Sequence, residues 1–266
     1  MTAIVETQEL TRRFDKATAV DALNLCMEPG EVFGLLGPNG AGKSTTIKML
    51  TTLLPPTSGH ARVAQFDIVR HPAKVRRIIG YVPQALSVDS TLTGYENLLI
   101  VAKLYDIPRA ERVARVRGAL AYVGLETVAD NLVRSYSGGM IRRLEIAQAL
   151  VHRPRVLFLD EPTVGLDPVA RKAVWELVKQ LCADYGTTVF LTTHFMEEAD
   201  SLCDRIAIMH FGRVVATGTP TELKTSLNKR SATLDDVFIH YTGDYLTSGG
   251  NYRDISTTRR TAQRLG

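Results

Sequence analysis

One stretch constrains the fold more than any other, and it reads VFGLLGPNGAGKSTTIKML from residue 32 to residue 50. An apolar run ends at Gly37, a glycine-rich turn follows, and after Ser44 apolar residues return at helical spacing. The strand–loop–helix order frames the pattern G-x-x-x-x-G-K-S between Gly37 and Ser44. That pattern predicts a phosphate-binding loop, or P-loop.

The chemistry of this loop predicts a nucleoside triphosphate as its ligand. Glycines lack a Cβ, so the backbone turns tightly and its N–H groups, with the positive end of the following helix, form a nest for phosphates. We expect Lys43 to reach the β- and γ-phosphates and the Ser44 hydroxyl to ligate Mg²⁺. The alternative is a chance match in a glycine-rich loop, which the flanking strand and helix disfavour. The expected binding residues are Gly37, Pro38, Asn39, Gly40, Ala41, Gly42, Lys43, Ser44 and Thr45.

A second candidate site is the apolar run Val156–Leu159, which ends in Asp160 and Glu161. In folds with a P-loop, an acid at the C-terminal end of a core strand lies beside that loop. Asp160 is then suited to hold Mg²⁺ through its water shell, and Glu161 to polarise the attacking water. Alone, this pattern is more typical of a plain strand end. The P-loop in the same chain favours the catalytic interpretation.

Composition sets the protein class. A chain of 266 residues with 45% hydrophobic residues is long enough for one large α/β domain with a small appended lobe. The formal charge of +4 is mild and favours a solvated basic surface over an anionic partner, and we draw no nucleic-acid inference from it. We expect no nucleic-acid partner. The three cysteines, without C-x-x-C spacing, indicate reduced thiols in a cytosolic setting. We see no signal peptide and no apolar run near the ~20 residues of a membrane span, so another polypeptide would supply that part.

Hydrophobic spacing divides the chain into an α/β part and a helical part. Alternation predicts strands at 3–9 and 19–27, and apolar runs predict further strands near 61–63, 78–82, 188–192, 205–210 and 213–217. From about 93 to 152 the periodicity is helical, which predicts a helical lobe inserted into an α/β core. Residues 243–266 are rich in Gly, Ser, Thr and Arg, and are predicted to be disordered.

Three further motifs carry a family resemblance. They are Tyr136-Ser137-Gly138-Gly139-Met140 with Arg142-Arg143, the Asp160-Glu161 segment, and Gly165-Leu166-Asp167-Pro168. With the P-loop, they resemble the ATP-binding cassette (ABC) ATPases over about residues 4–240. The segment 233–238 is similar to the ending of drug-exporter ATPases of the daunorubicin-resistance type.

The resemblance implies a fold and its divisions. It implies an α/β P-loop NTPase (RecA-like) core with an N-terminal antiparallel β-subdomain and an inserted α-helical subdomain. The ABC ATPase domain would span 1–240, with its core at 1–88 and 153–240 and its helical subdomain at about 89–152. Residues 241–266 would form a disordered tail.

The resemblance also implies roles at single positions, with ATP and Mg²⁺ as ligands. Ser137, Gly138 and Gly139 match the signature motif that serves the γ-phosphate held by another subunit, although Tyr136 and Met140 replace the usual Leu and Gln. The catalytic set would be Glu161, His194, Gln84 and Lys43, and the Mg²⁺ set Ser44, Gln84 and Asp160.

Each of these positions has a structural alternative beside the implied role. Ser137 suits an ordinary helix cap, Gln84 a solvated loop position and His194 a structural place at a strand end. Asp167 matches an acid at the dimer interface, but it also suits the N-cap of a helix at Pro168. Phe14 stands where the family stacks an aromatic ring on adenine, but it could equally pack at a strand end.

The partners implied are a second ATPase subunit, joined head to tail, and a membrane-spanning permease from another chain, with the complex at the cytoplasmic face of the membrane. The permease would dock near residues 84–93. Export is favoured over import by the 136–143 pattern and the 233–238 ending. A soluble ABC ATPase acting on DNA or ribosomes is disfavoured, since the chain has neither a long coiled coil nor a second cassette. A GTPase is disfavoured because the nearest match to N-K-x-D, at 228–231, lacks the acid.

Overall fold

The computed structural model describes residues 3–15, 17–227, 229 and 231–243. The strands are β1 (Val5–Phe14), β2 (Ala17–Met27), β3 (Val32–Leu36), β4 (Ser58–Val63), β5 (Phe66–Asp67), β6 (Ile79–Val82), β7 (Val156–Asp160), β8 (Thr188–Thr193), β9 (Arg205–His210) and β10 (Arg213–Gly218). The helices are α1 (Lys43–Leu50), α2 (Pro72–Ile78), α3 (Gly94–Leu104), α4 (Arg109–Tyr122), α5 (Gly138–Leu150), α6 (Pro168–Tyr185), α7 (Met196–Leu202), α8 (Pro220–Ser226) and α9 (Leu234–Thr242), with short 3-10 turns at Glu126–Val128 and Val133–Ser135.

The strands form two sheets. One is antiparallel, in the order β2-β1-β4-β5, and the other has the order β10-β9-β3-β8-β7-β6. In the second sheet β3 runs parallel to β8 and β9, and β7 runs parallel to β6 and β8. The C-terminal ends of β3, β7 and β8 therefore meet at one edge, where ligands bind in open α/β sheets.

The central strand β3 is buried on both faces, which explains its nearly continuous apolar sequence. Because side chains alternate along a strand, Val32 and Leu36 join one hydrophobic core and Phe33 and Leu35 the other. The first core includes α3, α4 and α5, and the second includes the antiparallel sheet and α1. The larger sheet, and with it the C-terminal ends of its parallel strands, thus lies between two hydrophobic cores.

The helical segment predicted at 93–152 is present as α3, α4 and α5. A capping box of Thr93 and Glu96 begins α3, and one of Thr219 and Glu222 begins α8. The first strand runs to Phe14 rather than to residue 9, because its second half pairs with the start of β2. The disordered tail predicted at 241–266 begins too early, because Tyr241 and Thr242 complete α9, whose C-cap is Gly243. The rest of the predicted tail lies outside the described residues.

The predicted domain limits at 88, 152 and 240 stay a prediction. In the described part of the chain, none of the helices combines the length and the apolar character needed to cross a bilayer.

Candidate nucleotide-binding site

The P-loop occupies the turn between β3 and α1, and close backbone approach explains two of its glycines. A Cβ at Gly37 would lie 2.3 Å from the carbonyl oxygen of Met209. At Gly42, where φ is +110°, a Cβ would lie 2.3 Å from the Ala19 oxygen. Gly42 is also the N-cap of α1, whose first turn has neither a side-chain cap nor an acid. The free N–H groups at this helix start suit an anionic ligand.

Lys43 is buried at the first position of α1, with 4% of its surface exposed. Its Nζ donates to the carbonyl oxygens of Gly37 at 2.8 Å and Pro38 at 3.1 Å. It also lies 3.1 Å from Glu161 Oε1. Burial lowers the pKa of Lys43, and the neighbouring carboxylates of Glu161 and Asp160 only partly oppose that shift.

Asp160, the last residue of β7, is held by two hydroxyl groups. Its Oδ1 accepts a hydrogen bond from Ser44 Oγ at 3.0 Å and from Thr192 Oγ1 at 2.6 Å. The same Thr192 hydroxyl accepts from the backbone N–H of Glu161 at 3.0 Å. Thr192 on β8 therefore orients both predicted acids. Sequence reasoning missed it, because a threonine in a buried strand carries no signal until the pairing of β7 with β8 is known.

Glu161 brings together the four residues predicted to be catalytic. Beyond Lys43, its Oε2 lies 3.2 Å from His194 Nδ1 and accepts a hydrogen bond from Gln84 Nε2 at 3.3 Å. Burial would raise the pKa of Glu161, but the His194 hydrogen bond and the Lys43 charge outweigh it, so the pKa is lowered. The carboxylate is therefore ionised at neutral pH and able to accept a proton.

The backbone of Glu161 has a φ of +49°, in the left-handed region that residues with a Cβ rarely adopt. The preceding Asp160 still belongs to β7. This change of backbone conformation lets two consecutive acids serve different partners, Ser44 for Asp160 and Lys43 for Glu161.

Ser137, Gly138 and Gly139 lie at the start of α5 and away from this cluster. The Ser137 hydroxyl caps α5 by accepting from the Met140 N–H at 3.3 Å. A Cβ at Gly139 would lie 2.8 Å from the Ala170 Cβ, so this loop packs on the start of α6. No hydrogen bond in the described residues joins Ser137 to residues 37–45.

Asp167 caps α6, as its structural alternative predicted. Its Oδ1 accepts from the backbone N–H groups of Val169 and Ala170, both at 2.9 Å. Phe14, at the end of β1, is 42% exposed, and the Arg12 guanidinium lies 4.6 Å from its ring centroid. One face of this ring is thus covered by a cation, and a large part of the ring remains accessible.

A buried carboxylate behind the site was also missed. Glu198 on α7 is fully buried and accepts hydrogen bonds from Thr163 Oγ1 at 2.8 Å and Trp175 Nε1 at 2.9 Å. Burial raises the pKa of Glu198 despite these bonds. It joins α7, which follows His194, to the turn after Glu161 and to α6. Nothing in the local sequence distinguishes it from the other acids of α7.

The donor set fits Mg²⁺ held jointly with a nucleotide. The described residues contain no group of three or more His, Cys, Asp or Glu side chains that could hold a metal by themselves. Ser44 Oγ and Asp160 Oδ1 instead lie 3.0 Å apart at the end of the P-loop. The Gln84 amide donates a hydrogen bond to the adjacent Glu161. A few protein oxygens completed by phosphate and water are the usual environment of Mg²⁺.

Two features define a P-loop nucleoside triphosphatase. One is the glycine-rich loop between the buried strand β3 and the helix α1. The other is Asp160 at the end of β7, the second strand from β3 in the sheet. The family model described as "ABC transporter" matches residues 20–164. The chain therefore belongs to the ABC transporter family.

Two curated relatives cover most of the chain. The daunorubicin/doxorubicin resistance ATP-binding protein of Streptomyces peucetius is 50% identical over 226 residues, covering 85% of this chain and 68% of the relative. The linearmycin resistance ATP-binding protein of Bacillus subtilis is 43% identical over 224 residues, covering 84% and 72%. These relatives confirm the resemblance to drug-resistance ATPases of the ABC family.

Solved structures confirm the fold. A subunit from Clostridium perfringens, described as part of an ABC transporter complex, matches with a TM-score of 0.79 and 31% identity, covering 85% of this chain and 92% of that one. A dimeric ATP-binding cassette in a post-hydrolysis state, bound to ADP and Pi, matches with a TM-score of 0.72 and 28% identity, covering 81% and 98%.

Proposed function

We propose that this chain is the ATP-binding and hydrolysing subunit of an ABC exporter. The observation that carries the proposal is the cluster of Lys43, Gln84 and His194 around the buried Glu161, at the C-terminal ends of the parallel strands. The Lys43 ammonium and the Glu161 carboxylate lie beside the P-loop, which supports roles in phosphate binding and proton acceptance. That is the constellation that hydrolysis of a γ-phosphate requires.

The P-loop backbone from Gly37 to Thr45 and the Lys43 ammonium bind the phosphates. Ser44, Gln84 and Asp160 would hold Mg²⁺, which would neutralise charge on the phosphate oxygens. Glu161 accepts a proton from the attacking water, for which its lowered pKa keeps it in the base form. His194 donates a hydrogen bond toward the γ-phosphate, and Phe14 stacks on the adenine ring.

The remaining residues serve a second subunit. Ser137, Gly138 and Gly139 offer a hydroxyl and helix N–H groups, with Asp167 beside them, at a place that has no hydrogen bond to residues 37–45 in the described chain. We infer that they contact the γ-phosphate held by the partner copy. ATP then gains its full set of contacts only in a closed dimer, and loss of the γ-phosphate reopens it.

Export follows from the relatives, two of which are named for drug or antibiotic resistance and one, 44% identical over 224 residues, for Nod factor export. We infer that a permease from another chain supplies the membrane path and holds this subunit at the cytoplasmic face. The ABC ATPase domain is proposed to end near residue 240, with the helical subdomain at about 89–152.

Replacing Lys43 tests the P-loop assignment. Lys43→Ala should lose most of its affinity for ATP and all measurable hydrolysis, because it removes the buried cation. Lys48→Ala is the matched control, since Lys48 lies exposed on the same helix and should behave as the wild type. Binding of a fluorescent ATP analogue and phosphate release with Mg²⁺ are the measurements. Unchanged binding and turnover in Lys43→Ala would overturn the assignment.

Replacing Glu161 tests the dimer. Glu161→Gln should bind ATP without hydrolysing it and should accumulate as a dimer, seen as a doubled mass by light scattering after size exclusion. Wild-type hydrolysis by this variant would show that Glu161 is not the base. If it binds ATP but stays monomeric even with the permease present, the shared-site proposal is wrong.

A further inference from the structure

A buried ion pair on α5 is not used by the proposed mechanism. Arg142 and Glu145 lie one turn apart, with Nη1 and Oε2 separated by 3.0 Å and the side chains 4% and 1% exposed. Ion pairs on a helix surface are normally solvated and contribute little. A buried pair costs desolvation energy, which its hydrogen bonds must offset. What this pair contacts is therefore informative.

Both side chains reach the loop that joins β6 to α3. The Arg142 guanidinium donates to the carbonyl oxygen of Pro83 at 2.8 Å and to that of Gln84 at 3.2 Å. Glu145 Oε1 accepts from the backbone N–H of Ser87 at 2.6 Å and from its hydroxyl at 3.0 Å. Four hydrogen bonds from one turn of α5 thus hold the first residues of a loop whose own side chains are mostly exposed.

The held loop carries Gln84, whose amide donates to Glu161 at 3.3 Å. Arg142 hydrogen-bonds to the Pro83 and Gln84 carbonyl groups, which lie on either side of the Gln84 Cα. It therefore fixes the direction of the Gln84 side chain. Arg142 also lies only three residues after Gly139, at the start of the helix that Ser137 caps.

The other end of α5 is fixed to the larger sheet. A Cβ at Gly80 on β6 would lie 2.5 Å from the Ala149 carbonyl oxygen, so helix and strand are in close contact there. Any shift of α5 would therefore be largest in its N-terminal half, where Arg142 and Glu145 hydrogen-bond to the loop.

We propose that Arg142 and Glu145 are positioning residues that hold Gln84 at Glu161 and tie its position to the N-terminus of α5. This inference rests on the proposed roles of Gln84 and Glu161. A contact at Ser137–Gly139 from the second subunit would move the Arg142 side of the loop and with it the Gln84 amide. Occupancy of one site is thereby linked to the geometry of the water-activating group.

A double-mutant cycle tests this inference in the full chain with its permease. Arg142→Gln should lower kcat for ATP hydrolysis at least about tenfold and change KM less than about threefold, since it acts through Gln84. In a Gln84→Ala background the same change should cost less than about twofold. Arg117→Gln is the control, because Arg117 forms an exposed pair with Asp130 at 3.0 Å in the same helical segment.

A second readout needs no nucleotide. Hydrogen exchange by mass spectrometry should show faster exchange at residues 84–90 in Arg142→Gln than in the wild type, and no change in Arg117→Gln. If Arg142→Gln does not fold, Arg142→Lys is the alternative variant. It keeps the charge but lacks the planar guanidinium that bonds two carbonyl groups at once, so it should still lower kcat with a native melting temperature.

The inference is overturned if a folded Arg142 variant keeps kcat within about twofold of the wild type. It is equally overturned if its kcat loss is the same with and without Gln84, which would indicate a purely structural role. Failure of the proposed function is recognised separately, because Lys43→Ala or Glu161→Gln would then retain hydrolysis.

Discussion

Replacing Glu161 with glutamine should change ATP affinity as well as turnover. In the structure Lys43 and Glu161 neutralise each other inside the site, with 4% and 5% of their side chains exposed. Lys43 has to loosen this contact to bind phosphates, and Glu161 faces the incoming negative charge. Glu161→Gln removes the competing carboxylate while keeping the shape of the side chain. We therefore expect the variant to bind ATP more tightly than the wild type.

The magnitude follows from the geometry. At the observed 3.1 Å, two unit charges attract by about 5 kcal/mol at an effective dielectric constant of ~20. Desolvation of the two ions offsets several kcal/mol of this attraction. A remainder of about 1–2 kcal/mol corresponds to about 5- to 30-fold tighter binding. Loss of the base should at the same time slow hydrolysis by about 10²- to 10⁴-fold.

The assay is equilibrium binding of a fluorescent ATP analogue at protein concentrations low enough to keep the chain monomeric, with phosphate release measured in parallel. Glu197→Gln is the control, because Glu197 is 70% exposed and its nearest cation, Arg171, lies 4.0 Å away. Equal or weaker binding by Glu161→Gln would refute the claim that the Lys43–Glu161 pair opposes nucleotide binding.

Three further predictions concern stability and can be checked by urea unfolding. Asp167→Ala removes the two N-cap hydrogen bonds of α6 and should cost about 1 kcal/mol, whereas Asp167→Asn should cost less. Gly80→Ala forces a Cβ to within 2.5 Å of the Ala149 carbonyl oxygen. Because this oxygen belongs to the backbone and cannot move aside like a side chain, the free energy of unfolding should fall by about 1–3 kcal/mol. Burial lowers the pKa of His152 below 6.5, so the unfolded chain takes up a proton that the folded chain does not. Stability should therefore fall as the pH drops below about 6.5, and His152→Gln should flatten that dependence.

The P-loop and the position of Asp160 and Glu161 beside it could be predicted because their signals are local. The glycine spacing before Lys43 fixes a turn and a helix start within one short segment, and the apolar run before Asp160 fixes a buried strand. Both depend on neighbours in the chain rather than on distant packing. The helical segment at 94–150 was predictable for the same reason, since helical periodicity and the Thr93 capping box are local.

The contacts that orient these groups could not be predicted, because they join distant segments. Thr192 is 32 residues from Asp160, and Arg142 is 59 residues from Pro83. A buried threonine and a helical arginine have many possible partners in a sequence. The pairing of β7 with β8 brings Thr192 to Asp160, and the packing of α5 against β6 brings Arg142 to Pro83. Both depend on the fold of the whole domain.

The arrangement around Glu161 gives this topology a functional consequence. Glu161 and His194 directly follow the parallel strands β7 and β8, and Lys43 begins α1 after the P-loop that follows β3, so the three side chains meet at the C-terminal ends of these strands. Gln84 reaches the same carboxylate from the loop after β6, which α5 holds. These three residues thus lie directly after a sheet strand or at the start of α1, whereas Gln84 lies on a loop that Arg142 and Glu145 of α5 hold by hydrogen bonds. In the coupling proposed above, a change at the start of α5 therefore acts on Glu161 through Gln84, because Arg142 and Glu145 contact the loop of Gln84.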